Sequence, residues 1–319
     1  MKKSVLNHEL PLGLSSGAYQ RRAMPIYKGF RLAAAAFFIF AGNASADVTP
    51  LSVSQSASGI EASDLPASGT ASNTAIIEKT FTIESLGRER KVRIYLPPNY
   101  QQSHARYPVI YMHDGQNLFD DKTSYAGEWH VDETLNKLSA SQNLNFIVVG
   151  IDNGGEHRMN ELSPWPHKRF GNAEGAQYLA FITNTVKPYI DNTYRTLTDA
   201  QNTAMIGSSM GGLMTHYAAL KHPGIFGKAG IFSPSYWFSK DVFTFTDDAV
   251  IPNENRFFIT VGGKEGESMV PYAIRMTEEL TDKGLTKANL FSHVVENQEH
   301  NEAFWTDEFE QAVVWLFKR

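Results

Sequence analysis

The sequence predicts an α/β fold, in which helices cover both faces of a mostly parallel β-sheet. Short apolar stretches at 109–112, 146–151 and 204–206 have the composition of strands buried on both faces. Longer stretches with helical spacing of apolar residues separate such strands, as in parallel sheets. A hydrophobic content of 42% over 319 residues supplies a sizeable core. We expect one catalytic domain over residues 76–319.

The lead-in to this sheet is predicted to be antiparallel, because residues 79–83 and 91–96 alternate like two strands around a turn at 85–87. An irregular segment, 157–175, interrupts the later alternation. The further predicted strands are 109–112, 146–151, 204–206, 230–232, 256–261 and 291–295, and the predicted helices are 129–138, 177–190, 213–220, 269–283 and 302–317. In such sheets the chemistry lies at the carboxyl ends of the strands.

Residues 1–46 predict a cleaved export signal. The apolar run 32–41 follows basic residues and is too short to span a bilayer. A small-x-small pattern then predicts cleavage after Ala46, and the periplasm or the exterior as the destination. Met24 is an alternative start to Met1, and an uncleaved apolar anchor is the alternative to cleavage.

Composition excludes several classes of function. Residues 47–75 are rich in Ser, Ala and Thr, which predicts a flexible leader. The absence of cysteine excludes disulfides, zinc–thiolate sites and a cysteine nucleophile. A net charge of −5 with no basic stripe argues against nucleic-acid binding. We expect a small-molecule substrate, no cofactor, no metal and no stable membrane insertion, while the oligomeric state stays open.

The G-x-S-x-G pattern at 207–211 predicts a nucleophilic serine at Ser209. A predicted strand precedes it and a helix that ends before Pro223 follows it, which is the setting of a nucleophile elbow. Glycine stands at −2 and +2 from Ser209 but not from Ser208. The alternative is an ordinary Gly-Ser turn without chemistry.

A nucleophilic serine needs a histidine base, and in this type of fold the order is Ser, acid, His. His300 fits, because it lies between the last predicted strand and the last helix. Its alternative role is a helix cap. We expect His293, within a strand, and His216 and His222, on the elbow helix, to be structural.

Glu265 is the best-placed carboxylate to orient His300, because it follows the strand 256–261 in a Gly-Gly-Lys-Glu turn. Glu267 is the next candidate. Asp247 and Asp248 precede the strand and are placed less well. A solvated loop carboxylate without a catalytic role is the alternative for all of them.

Two backbone N–H groups are predicted to form an oxyanion hole. Met210 directly follows the nucleophile, and Gln116 lies in the loop after the first parallel strand. The adjacent His113 and Asp114 could instead begin a metal site, although no further spaced ligands accompany them.

Aromatic residues near strand ends predict the walls of a substrate pocket. These candidate substrate-binding residues are Trp165, His167, Tyr236 and Trp237. The alternative is that they pack in the core and hold the loops.

Together, four segments resemble the Putative esterase family of α/β-hydrolases, which includes esterase D-like and enterochelin-esterase-like enzymes. They are MHDGQNLFD (112–120), PYIDNTYRT (188–196), IGSSMGGLMTHYAALKHPGIFG (206–227) and FSPSYWF (232–238). The resemblance covers nearly all of residues 76–319. It implies an α/β-hydrolase fold and a serine esterase with Ser209 as nucleophile, His300 as base and Glu265 as acid.

Relatives in that family act on siderophore trilactones, feruloyl sugars, short acyl esters or S-formylglutathione, and others are acyltransferases. Export disfavours S-formylglutathione, a cytosolic substrate. We therefore expect an exported serine carboxylesterase that works through an acyl-enzyme. The alternatives are an acyltransferase on the same fold and a non-catalytic binding protein that keeps the hydrolase fold.

Overall fold

The computed structural model describes residues 73–318 and places eight strands in one central sheet. β1 and β4 pair antiparallel, β4 and β6 pair antiparallel, and the remaining neighbours are parallel. From edge to edge the strands are β1 (Thr74–Ile76), β4 (Val92–Tyr95), β6 (Ile147–Ile151), β5 (Val109–His113), β7 (Thr203–Ser208), β8 (Lys228–Phe232), β9 (Arg256–Gly262) and β10 (Leu290–Val295). The mostly parallel sheet with an antiparallel lead-in is therefore confirmed.

The lead-in strands pair differently from the prediction. β2 (Phe81–Ile83) and β3 (Arg88–Arg90) form a separate two-stranded sheet, whereas 79–83 was expected to pair with 91–96. β4 is buried at all four positions, so it lies in the central sheet between β1 and β6. The more polar β3 becomes the partner of β2 instead.

Eight α-helices are present within residues 73–318. They are α1 (Val131–Gln142), α2 (Arg158–Glu161), α3 (Gly175–Phe181), α4 (Lys187–Thr193), α5 (Met210–Lys221), α6 (Asp241–Asp248), α7 (Met269–Asp282) and α8 (Glu302–Phe317). A π-helical turn, Ile182–Val186, joins α3 to α4, so the predicted helix 177–190 is continuous. The sequence analysis did not predict α6, a short helix with aspartates at both ends.

The core lies on both faces of the sheet. One cluster packs side chains of α3 to α7 against the sheet, and a second packs those of α1 and α8. Because β5, β7, β8, β9 and β10 are parallel, their carboxyl ends meet at one edge, where the candidate residues follow them. Within the described range, no helix is both long and apolar enough to cross a membrane.

Candidate active site

Ser209 lies in a strained turn between β7 and α5. Its φ of 58° and ψ of −118° are unusual for a residue with a side chain. The Ser209 N–H donates to the Phe232 carbonyl at 2.9 Å, and the Ser235 N–H donates to the Ser209 carbonyl at 3.0 Å. A Cβ at Gly207 would lie 2.8 Å from the backbone of Gly211. The turn therefore needs glycine at position 207, as the motif has it.

Glu265 and His300 are in direct contact. The His300 Nδ1 lies 2.8 Å from Glu265 Oε2, and because a carboxylate only accepts, the imidazole donates. The Glu265 side chain is 0% exposed, and that of His300 is 37% exposed. Glu267, the other candidate acid, is exposed and has no hydrogen bond or ion pair within the described residues.

The second oxygen of Glu265 is held by two further donors. Its Oε1 accepts from the Gly262 N–H at 2.6 Å and from the Ser233 hydroxyl at 2.5 Å. The Ser233 hydroxyl in turn accepts from the Trp305 indole N–H at 2.8 Å. The Trp305 ring also meets the His300 ring edge-on, with centroids 5.1 Å apart. The carboxylate is thus fixed from three sides and can orient His300.

Ser209 and His300 line the same cleft, which has a volume of about 790 Å³. The Ser209 hydroxyl lies 3.3 Å from the Ser235 hydroxyl, and within residues 73–318 it has no hydrogen bond with His300. Most of the residues that line the cleft are of polar type. It is lined by Asp114, Gln116, Asn117, Thr123, Ser124, Tyr125, Ala126, Asp152, Asn153, Gly155, Arg158, Ser208, Ser209, His300, Glu302 and Trp305.

Two backbone donors are placed near this cleft. The Met210 N–H is the first of α5, so it has no partner in the helix. Gln116 lies in the 3-10 turn Gly115–Asn117, and its side-chain Oε1 accepts from the Asn153 N–H at 3.1 Å. A Cβ at Gly115 would lie 2.7 Å from the backbone of Gly150, so glycine is needed for this close approach.

Arg158, which the sequence analysis missed, forms an ion pair with Asp114 beside the oxyanion loop. Its Nε and Nη2 lie 2.6 and 2.8 Å from the two carboxylate oxygens, and the Asn153 amide donates to the first oxygen at 2.7 Å. Burial acts to raise the pKa of Asp114, but the charge and hydrogen bonds of Arg158, together with the Asn153 hydrogen bond and His113, outweigh it and lower the pKa. No sequence signal links residues that are 44 positions apart.

His113 and Asp114 each contact protein groups, and neither belongs to a group of three potential metal ligands among the described residues, although the Nε2 of His113 has no hydrogen-bond partner there. The His113 Nδ1 is 3.0 Å from the Tyr178 hydroxyl, and burial lowers the pKa of His113 to about 4. Within residues 73–318, one group of three side chains has the composition of a metal site. Glu128, His130 and Glu133 bring one donor atom each within 4.8 Å of the others, and none of them lines the cleft.

None of the four aromatic residues predicted to form the pocket walls is among those that line the cleft with Ser209. The prediction for Tyr236 is wrong, because its side chain is fully buried and its hydroxyl bonds to His216 at 3.1 Å. Trp165 is half-buried and packs against two core aromatic rings. His167 meets the 40%-exposed Trp237 edge-on at 6.4 Å. A substrate role for Trp165, His167 and Trp237 stays a prediction.

The parallel sheet and the strained serine turn at its carboxyl edge define a hydrolase of the α/β-hydrolase class. The family model described as Putative esterase matches residues 83–316, and the chain belongs to this family. The protein is therefore a hydrolase that acts on ester bonds, as the resemblance implied.

The chain is similar to curated proteins and to solved structures. The chain is 30% identical to the uncharacterized protein YbbA of Bacillus subtilis, over 72% of this chain and 92% of YbbA. It is 26% identical to an endo-1,4-beta-xylanase/feruloyl esterase of Xylanibacter ruminicola, over 76% of this chain and 31% of that protein. The enterobactin esterase of Shigella flexneri superposes with a TM-score of 0.63 at 21% identity, over 76% of this chain and 59% of the other. The superposition confirms the α/β-hydrolase fold.

Proposed function

We propose that this protein is an exported serine carboxylesterase that hydrolyses its substrate through an acyl-enzyme. The observation that carries the proposal is the contact between Glu265 and His300 at the cleft that also holds Ser209. A buried carboxylate, an imidazole and a strained serine are the parts that activate a hydroxyl for acyl transfer.

The hydrogen bond to Glu265 fixes the tautomer of His300. With the proton on Nδ1, the Nε2 atom has a lone pair and can take the proton of the Ser209 hydroxyl. The Ser209 Oγ then attacks the acyl carbon, and the protonated His300 gives its proton to the leaving alcohol. Water, activated by the same Nε2, hydrolyses the acyl-enzyme and restores Ser209.

The Ser209 hydroxyl must turn before it reacts. In the structure it lies 3.3 Å from the Ser235 hydroxyl, which is a long contact between two hydroxyl groups. The mechanism requires the Ser209 hydroxyl to exchange this contact for one with the Nε2 of His300. Catalytic hydrogen bonds commonly tighten when substrate binds.

The oxyanion would be met by the N–H groups of Met210 and Gln116. The turn of Gln116 is held by the close packing of Gly115 and by the Asn153 bond to the Gln116 side chain. Donors that are fixed in advance stabilise the developing charge without reorganisation. No step in this route needs a cofactor.

Export rests on the sequence of residues 1–46, which lie outside the described range. Its support is the apolar run 32–41 and the small-x-small pattern before Asp47. N-terminal sequencing of protein recovered outside the cytoplasm should begin at Asp47, and a mature chain that still begins at Met1 would contradict export.

The mechanism is tested by replacing Ser209 with Ala and measuring hydrolysis of p-nitrophenyl acetate. We expect the loss of activity and of labelling by a fluorophosphonate, with an unchanged circular dichroism spectrum. Ser208→Ala is the matched control, because it removes the adjacent hydroxyl and should keep the label. Full activity of Ser209→Ala would rule the mechanism out, and acyl transfer to an added alcohol faster than hydrolysis would favour an acyltransferase.

A further inference from the structure

Glu302, the first residue of α8, is a carboxylate of the cleft that the mechanism does not use. It is only 9% exposed, yet it lines the cleft together with Ser209 and His300. Within residues 73–318, no other residue forms a hydrogen bond with its carboxylate. Its Cβ packs beside Gly127, where an added Cβ would lie 3.4 Å away. The residue is thus largely buried and lines the cleft, and its carboxylate receives no hydrogen bond from another described residue.

The charges around Glu302 do not neutralise it. Burial raises its pKa, and Asp114 adds to the rise, while the Glu302 N–H, His300 and Arg158 lower it by less. Arg158 is the only lysine or arginine among the described residues that line the cleft, and both carboxylate oxygens of Asp114 already engage it. Among the described residues that line the cleft, no lysine or arginine is therefore left to pair with the Glu302 carboxylate.

A structural role at the start of α8 accounts for only part of this arrangement. A carboxylate near a helix N-terminus stabilises the helix through the dipole. However, the Asn301 side chain already caps α8 by accepting from the Phe304 N–H at 3.0 Å. The carboxylate accepts only from its own N–H among the described residues, so a ligand in this partly desolvated cleft can supply a further donor.

We propose that Glu302 binds a hydrogen-bond donor, a hydroxyl or an ammonium group, on the ester substrate. This inference rests on the proposed esterase function and names its substrate class. An ionised carboxylate only accepts hydrogen bonds, so it cannot bind an ether, a carbonyl or another carboxylate. An ester with hydroxyl or ammonium groups close to the acyl centre matches the site.

The same charges select against anionic esters. The acidic side chains that line the cleft are Asp114, Asp152 and Glu302, of which the first two are paired with Arg158 and Arg93. A negatively charged acyl or alcohol group would meet the unpaired Glu302 beside His300. Repulsion of this kind discriminates between substrates as effectively as a favourable contact does.

Matched ester pairs test the inference on each side of the scissile bond. On the alcohol side, 2-hydroxyethyl acetate is compared with 2-methoxyethyl acetate, which lacks the donor. On the acyl side, methyl glycolate is compared with methyl methoxyacetate. Protonated 2-(dimethylamino)ethyl acetate separates an ammonium from a hydroxyl donor, and monomethyl succinate supplies a negative charge. For the wild-type protein, kcat/KM should favour the donor in at least one pair.

Two substitutions then remove the acceptor in steps. In Glu302→Met, the ratio of kcat/KM between donor and methoxy esters should fall by about tenfold or more. In Glu302→Gln it should fall less, because the amide oxygen still accepts. Both variants should gain activity towards monomethyl succinate relative to the methoxy esters. Asp307→Asn, which removes an exposed charge from the same helix, should keep the wild-type ratios.

The outcomes separate this inference from the proposed function. If both Glu302 variants keep the wild-type ratios while Ser209→Ala is inactive, the subsite is refuted and the esterase mechanism stands. Loss of stability in urea without a change in the ratios would also refute it, because Glu302 would then be structural. Full activity of Ser209→Ala would refute the mechanism itself.

Discussion

Replacing Glu265 with Gln should reduce kcat strongly, because the carboxylate has three donors and no free oxygen. The Gly262 N–H, the Ser233 hydroxyl and the His300 Nδ1 all donate to it. An amide offers one acceptor oxygen and one NH₂ group, which would face at least one of these donors. The imidazole would then lose the tautomer or the orientation that the reaction needs, with a fall in kcat of roughly 10³- to 10⁴-fold.

The same substitution should lower the free energy of unfolding by about 1–3 kcal/mol, because a buried donor is left without its partner. Steady-state kinetics with p-nitrophenyl acetate and urea unfolding measure the two effects separately. Glu267→Gln is the matched control, since that carboxylate is exposed. If Glu267→Gln is impaired and Glu265→Gln is not, the assignment of the acid is wrong.

Two further predictions concern groups behind the site. Ser233→Ala should lower kcat by about tenfold with little change in KM, because Glu265 loses one of its donors. Unchanged values of kcat and KM would show that the remaining two donors are sufficient. Burial lowers the pKa of His113 to about 4 and that of His216 to about 3, from 6.5. Between pH 6.5 and 4 the unfolded chain therefore binds more protons, so the free energy of unfolding should fall by a few kcal/mol as the pH is lowered. Urea unfolding at pH 7 and pH 5 measures this fall, and His216→Gln should reduce it.

The fold was predictable because its elements carry strong local signals. β7 and β8 are buried at every position, as the apolar runs 204–206 and 230–232 within them indicate. The hairpin of β2 and β3 was not predictable in detail, because β3 and β4 are adjacent in sequence and only tertiary burial separates them. α6 was missed since few of its residues are buried and its ends are acidic.

The candidate site was predictable where chemistry and position coincide in one segment. His300 and Glu265 each follow a strand at the active edge, and the structure brings them into contact. Tyr236 follows a strand in the same way, yet its ring turns into the core and bonds to His216. A strand end therefore gives the location of a residue but not the direction of its side chain, which packing decides.

The difference between the elbow and the specificity residues has a steric origin. At Gly207 an added Cβ would lie 2.8 Å from backbone atoms, so only glycine fits and the turn can be predicted from the sequence. Glu302 satisfies no such constraint: a glutamate is compatible with the first turn of any helix. Its position in the cleft depends on how α8 packs beside Gly127. Residues that the backbone geometry requires can therefore be predicted from a sequence pattern. A residue proposed to contact only the substrate can be recognised when the structure shows its surroundings.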